Sequence, residues 1–178
     1  MRNRLAIGLS LAAAFALPAL AIGAILALPK AIAVAKLKGV NEVPSIISNA
    51  SGDFTAKVFA DHVDFTLSVA GLSGDTYQAH IHVGQQHTNG GVMVFLCNNT
   101  PSGPAPRPCP HGSGTVTGSF SAADVIGPAG QGVDPAEFAA LLQAIGDGAS
   151  YANVHTSVFP AGEIRGQLLQ IGSVATGE

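Results

Sequence analysis

The chain has no tryptophan, only two cysteines and two tyrosines, and charge on just 11% of its 178 residues. Each scarcity excludes something. Cys97 and Cys109 form no Cys-x-x-Cys pair, and their spacing fits no common metal knuckle. Eight Lys and Arg stand against eleven Asp and Glu, for a net charge of −3 with no basic run, so a nucleic-acid surface is not expected. No Gly-x-Ser-x-Gly elbow and no His-Glu-x-x-His helix occur. No glycine-rich stretch follows a strand and opens a helix as phosphate binding requires. Asp124 and Asp147 read as turn or cap residues, so no catalytic residue is assigned. What is plentiful is glycine (22), proline (11) and short runs of Val, Phe and Thr, the composition of a short-stranded β protein.

The amino end is a different kind of segment. Arg2 and Arg4 precede an uncharged run from Leu5 to Pro29, and small residues follow at Ala31-Ile32-Ala33 and Ala33-Val34-Ala35. This is the pattern of a secretory signal peptide over residues 1–35, with the mature chain expected to begin at Lys36 or, alternatively, at Val34. The run also reaches the ~20 apolar residues that span a bilayer, so an uncleaved anchor over residues 5–29 is the rival reading and the one route to membrane contact. No cysteine follows the run for lipid anchoring, and no second hydrophobic span exists. One domain over 36–172 and a short tail over 173–178 remain. Export to the periplasm or the extracellular space places the cysteines where pairs close. A Cys97–Cys109 bridge would pin the proline-rich stretch between them, contributing about 3 kcal/mol by loop entropy.

Alternation lays out the strands. Lys36 to Glu42 reads as the first. Asp53 to Phe59 and His62 to Ala70 follow, the second with Val63, Phe65, Leu67 and Val69 on one parity, around a turn at Asp61-His62. Tyr77 to Val83 comes next. Val92 to Leu96 is apolar throughout and should be buried on both faces. Thr115 to Phe120 alternates again. Asp134-Pro135-Ala136-Glu137 predicts a helix over Pro135 to Ile145, capped by Asp134, with Phe138, Leu141, Leu142 and Ile145 as its apolar stripe. The last two strands should form a hairpin around Val158 to Ala161.

Two of these strands carry the polar chemistry. In Ala79-His80-Ile81-His82-Val83 the two imidazoles share a face opposite Ile81 and Val83. In Tyr151-Ala152-Asn153-Val154-His155 the polar residues again share one parity. With Leu37-Lys38-Gly39-Val40-Asn41-Glu42-Val43-Pro44 and Gly162-Glu163-Ile164-Arg165-Gly166-Gln167, these motifs resemble the CHRD domain, the repeat first defined in chordin and also found in bacterial secreted proteins. The resemblance spans roughly Ala35 to Gln170. It implies an all-β fold, an immunoglobulin-like or Greek-key β-sandwich or barrel remotely similar to copper/zinc superoxide dismutase, here with one short helix. It implies little about activity.

Two readings of the histidines stay open. His80, His82 and His155 offer three imidazoles on the outer face of the barrel, a set suited to copper or zinc. No aspartate–histidine cluster matches the dismutase zinc loop, and His87 and His111 lie in loops without a motif. Alternatively the three join Asn153, Glu163 and Arg165 in a closed polar network that holds loops down. If the last turn centres on Phe159, His155 faces Glu163 and Asn153 faces Arg165. His62 reads as a solvated turn residue. The functional expectation is a non-enzymatic extracytoplasmic binding or structural module, its partner an extracellular protein or envelope component. The alternative is a copper- or zinc-binding protein, dismutase-like in its strongest form.

Overall fold

A computed structural model describes residues 28–173. The cationic start and most of the apolar run of the expected leader lie outside those residues, as does the tail beyond Ser173. Among the described residues no helix is long and apolar enough to cross a membrane.

Nine strands form one antiparallel sheet: β1 (Ala31–Lys38), β2 (Ser51–Val58), β3 (His62–Ala70), β4 (Thr76–Val83), β5 (Val92–Asn98), β6 (Gly114–Ser121), β7 (Ser150–Thr156), β8 (Ile164–Gln167) and β9 (Leu169–Ser173). Their order is β5-β4-β7-β8-β1-β2-β3-β6, with β9 also on β1. The sheet curls into a nearly closed barrel, and β3 to β6 run around it in Greek-key order. Alternation explains the core. Phe54, Ala56 and Val58 of β2, Val63, Phe65, Leu67 and Val69 of β3, and Ala79 and Ile81 of β4 all point inward and are buried. The β2–β3 register pairs Phe54 with Leu67 and Ala56 with Phe65, stacking two inward rows against each other.

Three boundaries depart from expectation. The first strand begins at Ala31 and ends at Lys38, and Gly39–Asn41 is a 3-10 turn, so Val40 to Glu42 are not strand. Ala33 and Ala35 are core residues, paired to Ala56 and Phe54 of β2. An alanine-rich strand at the end of an apolar run carries no period of its own, which is why it reads as leader. The helix, α1, covers Phe138–Gly146 and not Pro135 to Ile145. Ala136 sits at φ 65 and donates its N–H to Val125 O at 2.9 Å, which turns the chain one step before the helix starts, and Asp134 caps nothing. Leu141, Ala144 and Ile145 are its buried face, with Phe138 and Leu142 half-buried beside them. Gly148, at φ 66, ends it. The third departure is β9, an additional strand within the expected carboxyl end.

The barrel closes at a seam. β5 and β6 share no ladder, and the segment between them covers the gap. Asn98 N donates to Arg107 O at 3.0 Å, and the Arg107 guanidinium reaches Leu96 O of β5 at 3.0 Å and Ser119 O of β6 at 3.2 Å. Cys97 and Cys109 form the expected disulfide, both buried, and tie this segment to β5. Changing Cys97 to serine should lower the unfolding free energy by about 3 kcal/mol. Urea denaturation of the two proteins under non-reducing conditions measures it, and an unchanged midpoint would show that the bridge constrains nothing.

Candidate functional site

β4, β7 and β8 lie side by side, and their non-core parity brings His80, His82, Tyr151, Asn153, His155 and Arg165 onto one face. Asn153 stands opposite Arg165 in the β7–β8 ladder and opposite His80 in the β4–β7 ladder. The turn does centre on Phe159. This face lies outside the barrel, and it is buried, as the network reading with its held-down loops implies. His80 is 4% exposed, His82 8%, Asn153 3% and Arg165 2%. The Gly84 to Gly91 loop roofs it, and the turn around Pro160 closes one side.

Hydrogen bonds hold the roof. Arg165 donates to Asn89 Oδ1 at 3.1 Å, to Gln85 O at 3.4 Å and to Thr88 O. Asn89 in turn donates to Val43 O at 3.2 Å, linking the loop to the segment after β1. The guanidinium lies 3.4 Å above the Tyr151 ring, and Tyr151 stacks on His82 at 4.8 Å and 7°. Gly90 is where the roof comes closest: a Cβ there would lie 1.6 Å from Val83 O, a backbone atom that cannot move aside.

The three histidines converge. One nitrogen from each lies within 4.8 Å of the others. His80 Nδ1 is 3.3 Å from His155 Nε2, which is also 3.1 Å from the Asn153 side-chain amide. His82 Nδ1 donates to Gly90 O at 2.8 Å, and His155 Nδ1 donates to Pro160 O at 3.0 Å. The Nε2 atoms of His80 and His82 are buried without a hydrogen-bond partner. Burial, with His155 and His82 as neighbours, pushes the His80 imidazole down to about 2. Burial lowers His82 to about 4 although its bond to Gly90 opposes the change, and it lowers His155 as well. The cluster is neutral at pH 7.

Glu163 does not join it. Its carboxylate turns away from His155 and accepts from Ser48 Oγ at 2.7 Å, Ser73 Oγ at 2.7 Å, Ser73 N at 3.0 Å and Thr156 Oγ1 at 2.8 Å. Burial alone would raise this carboxyl, but the donors outweigh it and hold it below the ordinary range. The single closed network is thus two: Glu163 fastens the 48 and 73 loops, and Arg165 fastens the 84–91 loop. The reason is local. Glu163 precedes β8, and its carboxylate follows the loops at the end of the barrel instead of the sheet face.

Glu42 belongs to the same buried layer and is not singled out by sequence reasoning, although it sits in the Gly39 to Pro44 motif. It is 6% exposed, its Oε1 has no partner, and it packs against Gly162. Burial raises it to about 7 against the pull of Arg165 and the Val43 N–H. Its one sequence signal is that it is the lone carboxylate of the Leu37 to Pro44 motif. His62 stacks on Phe59 at the β2–β3 turn, and His111 lies 3.6 Å from Asp75, both apart from the trio.

Barrel and site define an all-β domain with a buried polar layer beneath its loops. The CHRD domain model matches residues 33–168, and the chain belongs to that family. No curated protein and no solved structure matches it.

Proposed function

We propose that this chain is an exported, non-enzymatic module that serves as a binding or structural unit outside the cytoplasm, with an envelope component or extracellular protein as its partner. The observation that carries this reading is the commitment of the polar layer. Glu42, His80, His82, Glu163 and Arg165 are all more than nine-tenths buried, and Glu163 and Arg165 are saturated by the loops they fasten. A substrate approaching this face would meet loop backbone and none of these groups. The clefts at the surface lie elsewhere: one of about 400 Å³ runs along β1 and β2 past Phe54 and Leu169, and one of about 290 Å³ lies by Val40 and Ile47. Neither is lined by a histidine.

A closed disulfide agrees with an oxidising compartment. The leader would be removed ahead of Ala31, because Ala31, Ala33 and Ala35 are core residues of β1. Ala19-Leu20-Ala21 supplies the small-residue pattern there. Expression of the full chain with its own leader, followed by cell fractionation and intact-mass analysis, tests this. The expected product is extracytoplasmic, oxidised at both cysteines, and begins between Ile22 and Ala31. An intact Met1 in membrane-embedded protein, or reduced chain in the cytoplasm, would contradict the proposal.

A further inference from the structure

We propose that His80, His82 and His155 form a three-imidazole site for one copper(I) ion beneath the 84–91 loop. This goes beyond the module reading and stands independently of what partner the module has.

Geometry is the first support. Nitrogens bound to one ion at about 2.0 Å lie roughly 3.3–4.1 Å apart, depending on coordination. His80 Nδ1 and His155 Nε2 are already 3.3 Å apart, and one nitrogen from each of the three rings lies within 4.8 Å of the others. A small rotation of the rings completes the set.

Preset tautomers are the second. A carbonyl oxygen only accepts, so Gly90 O fixes the proton of His82 on Nδ1, and Pro160 O fixes that of His155 on Nδ1. Both rings therefore present an Nε2 lone pair, and on His82 that lone pair is buried with nothing to accept from. His155 Nε2 faces Asn153 Oδ1 at 3.1 Å, an acceptor that offers its lone pair no proton. Carbonyl acceptors behind ligating imidazoles are the usual device for orienting metal ligands. On His82 the committed nitrogen and the orphaned one divide in the way a metal site requires.

Charge selects the ion. All three donors are neutral, and no carboxylate or thiolate joins them among the described residues. The Arg165 cation is stacked on Tyr151, which is stacked on His82. Desolvation cost rises steeply with charge, so a monovalent ion fits this buried site better than a divalent one. Imidazole donors suit copper, and zinc held by three imidazoles takes a fourth ligand to complete its tetrahedron.

The test is an anaerobic copper(I) titration of exported, chelator-stripped protein against a chromophoric copper(I) chelator at pH 7.5. One equivalent should bind. His80→Ala and His82→Ala should each weaken binding by about a thousandfold or more, beyond the 10–100-fold that loss of an outer partner brings. His62→Ala should bind as the parent does. If the histidine variants fail to fold, the parent decides: imidazole ¹⁵N resonances of three histidines should shift on adding copper(I), while the others hold still. Less than a tenth of an equivalent bound, copper retained by the His80→Ala/His82→Ala pair, no shift of the three resonances, or displacement by equimolar zinc would each overturn the assignment.

Discussion

A chain beginning at Lys36 is expected not to fold, whereas one beginning at Leu28 should unfold cooperatively. The five residues from Ala31 to Ala35 make five of the ladder pairs of β1 with β2, and four of them also pair with β9. β1 lies in the interior of the sheet order, so shortening it leaves unpaired backbone on both neighbours. Each buried hydrogen-bonding group left unsatisfied costs about 1–3 kcal/mol. Removing Ala33 and Ala35 also opens the packing over Ala56 and Phe54. Domains of this size hold only about 5–15 kcal/mol in all. Far-ultraviolet circular dichroism and urea denaturation of the two chains decide the matter, and equal midpoints would show that β1 is dispensable before Lys36.

The second large effect is acid destabilisation of the metal-free protein. His80 and His82 are held near 2 and 4 in the fold, against 6.5 for an unperturbed imidazole. As pH falls below 6.5 the unfolded chain takes up protons that the folded chain refuses, so stability present above 6.5 is lost. Each such group contributes a slope of about 1.4 kcal/mol per pH unit. His155 acts in the same direction. Glu42 opposes them: its folded carboxyl, at about 7, protonates before the unfolded one at 4.5, which stabilises the fold as pH falls through that window. Two or more histidines against one carboxyl leave a net loss between pH 6.5 and 4.5. Below 4.5 the Glu42 contribution is complete, the depressed Glu163 begins to add to the loss, and the decline steepens. The unfolding free energy from urea denaturation, followed from pH 7.5 to 4 in chelator-treated protein, should fall by several kcal/mol, and the midpoint with it. A midpoint that is flat or rising on going from pH 7 to 5 would refute the buried, neutral histidine cluster.

Strict alternation made β3 legible residue for residue, because His62 to Ala70 has one wet face and one core face. The same rule gave the histidine-bearing parity of β4 and β7, and hence the trio. It gave a roof only in the network reading, in which the polar residues hold loops down, and it did not say which loop covers them. Period-2 patterning separates a polar face from an apolar one, but a polar face under a loop and a polar face under water have the same sequence. The covering residues, Gln85 to Gly91, carry no periodic signal, and only the Gly90-Gly91 pair marks a close approach. Glu163 was misplaced for a related reason: register set it opposite His155, while the serines that claim its carboxylate come from loops far away in the chain. The helix start failed because a capping-box spacing at Asp134 and Glu137 was outweighed by the bond from Ala136 to Val125.

The Arg107 seam has a consequence for redox behaviour. A barrel closed by ladders all round has no edge, whereas this one has two, on β5 and β6, covered by a guanidinium and a proline-rich strap held through Cys97–Cys109. Reduction would let the strap swing away and leave two rows of bare amides and carbonyls, templates on which a second chain can add strands. Closure of the strap is therefore what keeps those two edges covered.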